Sequence, residues 1–456
     1  MRLISFFYNL LWGDLFTIPL PGGSSMGISL LVLLLIPTGL YFTLRTHFLP
    51  IRYFREMLRI SLEKRTVDKH ALSGLQALIV STATRVGMGN MVGVVAAISV
   101  GGAGSVFWMW LTALIGSSTA FIEATLAQIH KQPDPLYGGY RGGPAYYLHD
   151  FFAKRKKRSV IAVLFALSGL LCWCGVSQVV SNSVSSAFYN AFSIPPLFTT
   201  ILLVGLAAII VLRKNATVKV LDIIVPVMAV FYFLISIYVI IRNITLLPSV
   251  FQRIFEEAFG LRQAVAGGFG AALMNGVKRG LFSNEAGSGS APCAAAAADV
   301  SHPAKSGLFQ AFGVIIDTII ICSCTAMIML LAPANLLDGL SGMELLQTAM
   351  HYHFGNAGVI FTTITLWLFS FSTFIGILFY ARSNVAYLFG DKWLFQTLYK
   401  LLALVMLFIG GLSTYTFVWD LGDIGVGLMT IFNLIAVLPM SKEALQALDD
   451  YAAQMK

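Results

Sequence analysis

The sequence predicts an all-α polytopic membrane protein with about eleven transmembrane helices. Of its 456 residues, 57% are hydrophobic and 11% are charged, whereas a soluble domain carries about 25% charged residues. The Lys and Arg residues lie in short stretches between apolar segments that are long enough to cross a bilayer. Membrane orientation therefore explains the net charge of +9, and no nucleic-acid partner is predicted.

The N-terminal part of the chain is predicted to lie at the membrane surface. Residues 1–25 have broken apolar runs and no clear cleavage pattern, which indicates an interfacial segment that is kept in the mature protein. Residues 26–73 predict an extra first transmembrane helix, over 26–45, followed by a basic cytoplasmic loop.

The rest of the chain holds the other predicted spans. They cover 74–101, 103–130, 159–192, 197–212, 219–241, 263–298 (broken), 306–333, 356–381, 393–411 and 416–440. With the N-terminus outside, most Lys and Arg residues, Lys278 and Arg279 among them, fall in cytoplasmic loops. Residues 441–456 then form a cytoplasmic C-terminal tail.

The second predicted span contains a stretch that is unsuited to a lipid-facing helix. Residues 77–94 read ALIVSTATRVGMGNMVGV and carry Arg85 close to Gly87, Gly89 and Gly93. Each Gly weakens a helix by about 1 kcal/mol, and an Arg in the middle of a bilayer costs several more. Such a sequence is typical of an unwound helix at the middle of a transporter, where it lines an enclosed cavity.

A second glycine-rich stretch follows in the seventh predicted span, over residues 264–275. Gly267, Gly268 and Gly270 surround Phe269 there, and a helix break is predicted around them. Close helix packing through small residues is the alternative interpretation of each glycine-rich stretch.

Paired glycine-interrupted helices in the two halves of a transporter indicate an inverted repeat, with the binding site where the breaks meet. The sequence therefore predicts a first inverted repeat over 74–241 and a second over 263–440.

The first stretch offers two kinds of backbone group to a ligand. Residues 87–90 leave N–H groups free at the start of a half-helix, whose dipole favours an anion such as a carboxylate. The preceding half-helix ends in free carbonyls, from about Ala83 to Val86, which suit a small hard cation. The hydroxyls of Ser372 and Thr373 can complete an oxygen cage, unless they bond back to their own helix. One break therefore suits the coupled transport of an amino acid and a sodium-sized ion.

Ionisable residues within the spans are expected to pair, because a lone buried charge is costly. Arg85 and Glu123 lie in adjacent helices and are the predicted pair; Asp222 and Asp317 are further candidates. The sequence leaves open whether this pair is structural or acts as a functional gate. Arg85 can also stand in for a bound cation.

No enzyme activity is predicted. A G-x-S-x-G match at residues 23–27 opens a membrane helix and has no strand before it. The histidines lack H-E-x-x-H spacing, and the two C-x-C pairs lack the further ligands of a zinc site. No cofactor is expected apart from the coupling ion, Na⁺.

Several stretches resemble the alanine or glycine:cation symporter family. They are VGMGNMVGV, GGAGSVFWMW, RGGPAYYL, RGLFSNEAGSGSAP and the IDTIIIC run. The resemblance covers nearly the whole chain, and RVGMGN is similar to AVGLGN of the leucine transporter. It implies the leucine-transporter fold, two five-helix inverted repeats, preceded here by one extra helix.

The resemblance also implies which residues bind the substrate. The Met88 and Gly89 amides, beside Gly87, would hold its carboxylate, and Asn90 would brace the break or touch a second ion.

The opposite side of the substrate pocket would include Gly268 and Phe269. The pocket glutamine of the family falls at Val180 here, and Gln178 lies two residues earlier, roughly 200° around the helix. Either this helix is rotated relative to its counterpart in the family, so that Gln178 contacts the substrate, or Gln178 does not contact the substrate.

For sodium, the resemblance implies carbonyl ligands from Ala83, Val86 and Phe369 and hydroxyl ligands from Ser372 and Thr373. The expected function is sodium-coupled import of alanine and/or glycine by alternating access in the bacterial inner membrane. The alternative is a proton-coupled or ion-independent amino-acid exchanger in which Arg85 replaces a bound cation. The expected partners are the amino acid, Na⁺ and membrane lipid, with a monomer as the default oligomeric state.

Overall fold

The computed structural model describes residues 2–19, 25–61, 85–153, 159–213, 217–261 and 268–455. The described chain is predominantly α-helical, as predicted. Its helices are α1 (Arg2–Trp12), α2 (Leu30–Arg45), α3 (Leu49–Arg52), α4 (Phe54–Ser61), α5 (Val94–Gly101), α6 (Gly104–Ile129), α7 (Pro144–Phe152), α8 (Val160–Phe192), α9 (Pro196–Val211), α10 (Thr217–Arg242), α11 (Leu247–Ala258), α12 (Gly268–Asn284), α13 (Pro292–Ala295), α14 (Pro303–Val314), α15 (Ser323–Leu330), α16 (Ala334–Leu337), α17 (Met343–Phe354), α18 (Asn356–Phe389), α19 (Trp393–Gly411) and α20 (Tyr415–Gln454). A kinked segment with non-helical residues occupies Arg85–Gly93, a wide π-helical segment occupies Ile315–Cys322, and a short 3-10 turn lies at Ile244–Leu246.

Two small antiparallel hairpins depart from the all-α expectation. One joins β1 (Asp14–Pro19) to β2 (Ser25–Ser29), directly before α2. The other joins β3 (Gln132–Pro133) to β4 (Tyr140–Arg141).

Within the described residues, 6 helices are long and apolar enough to cross a membrane, or up to 7 with a pair bent by 75°. Three shorter apolar helices, at Leu30–Arg45, Val86–Gly101 and Pro196–Val211, coincide with further predicted spans. The count of eleven and the two-repeat arrangement remain predictions.

Helix α8 packs closely against α20 and lies at the centre of the bundle. A Cβ added at Gly175 would lie 2.3 Å from the Gly422 nitrogen, and one at Gly425 would lie 2.3 Å from the Cys172 Cα. Small residues on both helices therefore allow the backbones to touch, as is common between membrane helices.

The first predicted break lies at Val86 and Gly87. Their dihedral angles, φ −75° and ψ 74° for Val86 and φ −150° and ψ −143° for Gly87, are non-helical. The chain then re-enters a helix that continues to Gly101.

A second break lies within the broken span that was predicted over 263–298, but further along the chain than Phe269. Gly268–Asn284 is a continuous helix, and residues 262–267 lie outside the described residues. The helix instead ends before Glu285, and the chain passes through positive φ at Glu285, Gly287 and Gly289. Gly268, next to Phe269, itself has φ +69°, and the residues before it lie outside the described part of the chain, so the break around Phe269 stays a prediction.

Close packing accommodates Gly276, which follows the predicted glycine-rich stretch on the same helix. A Cβ at Gly276 would lie 2.4 Å from the Trp108 Cβ, and one at Gly101 would lie 2.8 Å from the Ala271 carbonyl oxygen. Backbone approach of this kind offsets the weak helix propensity of glycine. A Cβ added at Gly268, by contrast, would meet no atom within 4 Å, so small-residue packing does not account for that glycine.

Candidate functional site

Side chains cap the first break. The Gly87 amide donates to Asn90 Oδ1 at 2.9 Å, and the Met88 amide donates to Thr373 Oγ1 at 3.1 Å. Two of the amides that the sequence suggested as bare are thus paired, one by a neighbour in the chain and one by α18. A ligand that takes the Met88 amide has to displace the Thr373 hydroxyl.

Oxygen atoms of α18 meet this break. Ser372 Oγ donates to the Phe369 carbonyl at 2.9 Å, so this hydroxyl bonds back to its own helix. A Cβ added at Gly87 would lie 2.1 Å from Thr373 Oγ1 and 3.3 Å from the Phe369 oxygen. Carbonyl and hydroxyl oxygens are therefore gathered beside Val86 and Gly87, and such hard neutral ligands suit Na⁺. The predicted ligand Ala83 lies outside the described residues.

A cavity of about 30 Å³ lies between the two breaks. It has room for about two water molecules. The first break contributes Met88 and Gly89 to its lining, α18 contributes Thr373, α8 contributes Trp173, and the second break contributes Glu285. The two interrupted regions thus face one small cavity.

Asn90 connects the first break to the π-helical segment. Its Nδ2 donates to Asp317 Oδ1 at 2.7 Å and to the Asp317 carbonyl at 3.0 Å. Ser283 Oγ donates to Asp317 Oδ2 at 2.9 Å, and Thr318 Oγ1 donates to the same oxygen at 2.7 Å. Asn90 is fully buried and holds the break on both sides, because its Oδ1 also caps Gly87.

One side of the cavity is closed by stacked aromatic and charged groups. Phe282 lines the cavity, and its ring centroid lies 4.8 Å from that of Trp419. The Arg279 guanidinium lies 3.8 Å from the Trp419 ring centroid and is paired with Asp423. Lys278 Nζ lies 2.5 Å from the other oxygen of Asp423.

Placing Lys278 and Arg279 in a cytoplasmic loop is therefore wrong. Both lie within α12 and are only 4% and 6% exposed. The sequence signal was available, because Asp423 is an acidic residue within an apolar span and requires a partner. Only the fold shows that α12 and α20 bring the three charges together.

The N-terminal helix α1 is docked against this charged group. Trp12 Nε1 donates to the Asp423 carbonyl at 2.9 Å, and Lys278 Nζ donates to the Tyr8 hydroxyl at 2.5 Å. Trp12 is only 4% exposed to solvent. Helix α1 thus contacts α12 and α20 near its C-terminal end, and its place at the membrane interface stays a prediction.

Three predicted substrate residues lie away from the cavity. The Gln178 Nε2 donates to Met406 Sδ at 3.5 Å, so this side chain points towards α19. Phe269 packs edge-on against Trp108, with 5.9 Å between ring centroids, and Gly268 begins α12. In the described residues, none of the three lines the cavity.

Glu123 contacts the second break. Its Oε2 accepts from the Gly287 amide at 3.2 Å, and its Oε1 accepts from Asn433 Nδ2. The side chain of Arg85 lies outside the described residues, so the Arg85–Glu123 pair remains a prediction.

Sequence comparison decides the family. The model of the sodium:alanine symporter family matches residues 22–456. The chain belongs to this family. It is therefore a member of a family of symporters rather than of enzymes, and its apolar helices make it an integral membrane protein.

Three relatives illustrate the family. "Probable sodium/glutamine symporter GlnT" of Bacillus subtilis is 44% identical and covers 94% of this chain and 88% of its own. "Amino-acid carrier protein AlsT" of the same organism is 41% identical, and the match covers 93% of this chain and 89% of AlsT. "Sodium/alanine symporter AgcS" of Methanococcus maripaludis is 35% identical, with 90% and 91% covered. Membership of this family supports sodium-coupled transport of an amino acid.

Solved transporters of the leucine-transporter fold resemble the chain in fold. MhsT in complex with L-phenylalanine superimposes with a TM-score of 0.56 at 14% identity, covering 83% of this chain and 90% of MhsT. The manganese transporter of Eremococcus coleocola gives a TM-score of 0.53 at 12% identity, covering 85% and 81%. Identities this low show the fold alone.

Proposed function

We propose that this protein imports a small neutral amino acid, alanine and/or glycine, together with Na⁺ by alternating access across the bacterial inner membrane. The observation that carries the proposal is the break at Val86 and Gly87, where the oxygens of α18 and the small cavity meet at one point of the chain.

The sodium site is assigned to the break and α18. Its ligands are the carbonyls of Val86 and Phe369 and the hydroxyls of Ser372 and Thr373, with the Ala83 carbonyl as the fifth. The close approach of Gly87 to Thr373 and Phe369 supports this assignment, because it brings oxygen atoms of α18 against the break. Ser372 and Thr373 are almost fully buried, so an ion there would be shielded from water.

The amino acid is assigned to the cavity between the breaks. Its carboxylate would take the amides of Met88 and Gly89, at the start of the half-helix that runs to Gly101. The Thr373 hydroxyl, which now accepts from the Met88 amide, would turn to the sodium ion when the substrate carboxylate arrives. Thr373 would thus link the two binding events.

The size of the cavity supports a small substrate. It is about 30 Å³ in the closed arrangement, with bulky Trp173 and Ile377 in its wall. The named relatives differ in substrate, glutamine for one and alanine for another. Alanine and glycine need the least enlargement of this space.

The energetics allow accumulation with a single ion. A monovalent cation that enters down 100 mV supplies about 2.3 kcal/mol, enough for roughly 50-fold accumulation of a neutral substrate. The orientation that goes with import places the N-terminus outside and the C-terminus in the cytoplasm.

Ion substitution in proteoliposomes tests the proposal. Uptake of labelled alanine is measured with external Na⁺, K⁺ or choline, and with or without a pH gradient. Uptake that requires Na⁺ and ignores the pH gradient supports symport with sodium. Equal uptake in K⁺, or uptake driven by protons alone, would instead favour the exchanger in which Arg85 replaces the ion.

A further inference from the structure

We propose that the carboxylate of Glu285 holds the α-ammonium group of the transported amino acid. This inference rests on the proposed function, since it concerns the same cavity. It assigns a partner to the ammonium end of the substrate, whereas the amides of Met88 and Gly89 bind the carboxylate end.

The position of Glu285 is unfavourable for a glutamate on local grounds. It is the first residue after α12, with φ +58°, a left-handed conformation that Gly or Asn adopts more easily. A carboxylate at this end of a helix also faces the negative end of the helix dipole. Both effects disfavour Glu here, so a role for its side chain is the better explanation of its presence.

The surrounding backbone holds this conformation in place. The Glu285 amide donates to the Leu281 carbonyl at 2.9 Å, which ends the helix. The Glu285 carbonyl accepts from the Ser288 amide at 3.2 Å and from the Ser288 hydroxyl at 2.8 Å. The residue is therefore fixed at the edge of the cavity.

The side chain faces the cavity and is oriented by a tyrosine. The Tyr380 hydroxyl donates to Glu285 Oε2 at 3.1 Å. Among the described residues that line the cavity, Glu285 is the one with a carboxylate. Met88 and Gly89 line the same space from the other break.

The charges of a loaded site support the assignment. An amino acid is a zwitterion, and each of its charges needs a partner when it leaves water. The dipole end at Met88 and Gly89 suits the carboxylate, whereas Glu285 suits the ammonium. A sodium ion and Glu285 also balance each other, so loading both substrates leaves the site neutral.

This arrangement would determine substrate class. A site built around a charged hydrogen bond rejects an analogue that lacks the matching group far more strongly than it rejects a missing methyl. Propionate and L-lactate have the carboxylate and the size of alanine but no ammonium. They should therefore bind poorly to the wild-type protein.

The test compares full-length wild-type protein with Glu285→Gln, Glu285→Asp and Tyr380→Phe. Amino-acid binding is measured in detergent by thermal stabilisation across the twenty amino acids, with propionate and L-lactate as analogues. Sodium binding is measured by stabilisation without amino acid, and coupled alanine uptake is measured in proteoliposomes.

For Glu285→Gln we expect alanine affinity to fall roughly 30-fold or more, as on truncating one partner of a buried charge pair, with sodium affinity within about twofold. Glu285→Asp should retain part of the affinity because it keeps the charge. Tyr380→Phe should lose less than Glu285→Gln, since it removes only an orienting hydroxyl. Propionate and L-lactate should stabilise wild type little.

Several results would overturn the proposal. They are alanine affinity in Glu285→Gln within about twofold of wild type, an equal loss of sodium and alanine affinity, or lactate binding to wild type as tightly as alanine. If Glu285→Gln fails to fold, the proposal is tested by the binding of propionate and L-lactate to wild type and by the alanine affinity of Glu285→Asp. If amino-acid binding depends on Glu285 but no uptake is seen, the transport function alone is rejected. If no amino acid binds at all, both the transport function and the role of Glu285 are rejected.

Discussion

Arg279 and Asp423 are joined by two parallel hydrogen bonds within the membrane domain. Arg279 Nη1 lies 3.0 Å from Asp423 Oδ1, and Nη2 lies 3.2 Å from Oδ2. Asp423 also pairs with Lys278, and Trp419 stacks on the guanidinium. Because Trp419 packs on Phe282 in the cavity wall, this pair stabilises the closed side of the proposed substrate site.

Asp423→Asn should destabilise the protein strongly. The substitution leaves two buried cations without their counter-charge, and breaking a buried pair in this way costs about 3–5 kcal/mol. The unfolding midpoint in detergent should fall by several degrees.

Asp338→Asn is the control. Asp338 is exposed and lies in a different part of the chain from this charged group, so its effect should stay within about 1 kcal/mol. Equal midpoints for the two variants would show that the Arg279–Asp423 pair does not hold the closed side together.

Gly87→Ala should abolish coupled uptake while leaving membrane insertion intact. The new Cβ would lie 2.1 Å from Thr373 Oγ1, so the hydroxyl has to leave the break. Sodium-dependent stabilisation and alanine uptake report the loss. Gly205→Ala is the control, because no atom lies within 4 Å of its added Cβ. Normal sodium stabilisation in Gly87→Ala would remove Thr373 from the proposed site.

Ser372→Ala and Thr373→Ala should each weaken sodium binding. Loss of one hydroxyl ligand should lower sodium affinity about tenfold, on the scale of a hydrogen bond to a charged group. Thr373→Ser keeps the hydroxyl and should remain close to wild type. Sodium titration of alanine uptake measures the effect, and unchanged half-saturation in both alanine variants would place the ion elsewhere.

Asn90→Ala should reduce stability and also the affinity for both substrates. It removes the cap on the Gly87 amide and the donor to Asp317, and each buried group left unpaired costs about 1–3 kcal/mol. Asn275→Ala serves as a control, because in the part of the chain that the structure describes its Nδ2 donates to the Ala271 carbonyl on its own helix. Equal losses in the two variants would mean that Asn90 has no special role at the break.

The first break could be located from sequence, whereas the second was predicted only as a break within the span 263–298. At residues 85–93 an Arg beside clustered glycines is costly in a lipid-facing helix, so an interruption was the simplest explanation. Beside Phe269, Gly268 has positive φ, but the helix that follows it continues to Asn284. The true second break depends on positive φ at Glu285, which residue type does not favour.

Residues that meet across the fold were harder to predict than local features. The Gln178 side chain faces α19. The sequence indicated only that Gln178 lies two residues before Val180 and therefore on a different face of α8. Lys278 and Arg279 resembled loop charges because their partner Asp423 is distant in the chain. Their pairing requires knowing that α12 and α20 are neighbours.

Reciprocal coupling of the two ligands tests the central claim most directly, because one break is proposed to bind both. Alanine affinity is measured with and without saturating Na⁺, and sodium affinity with and without saturating alanine, in wild type and Thr373→Ala. Linkage requires the same factor in both directions, and we expect about tenfold or more in wild type and almost none in the variant. Independent binding in wild type, with neither ligand changing the affinity of the other, would contradict the account.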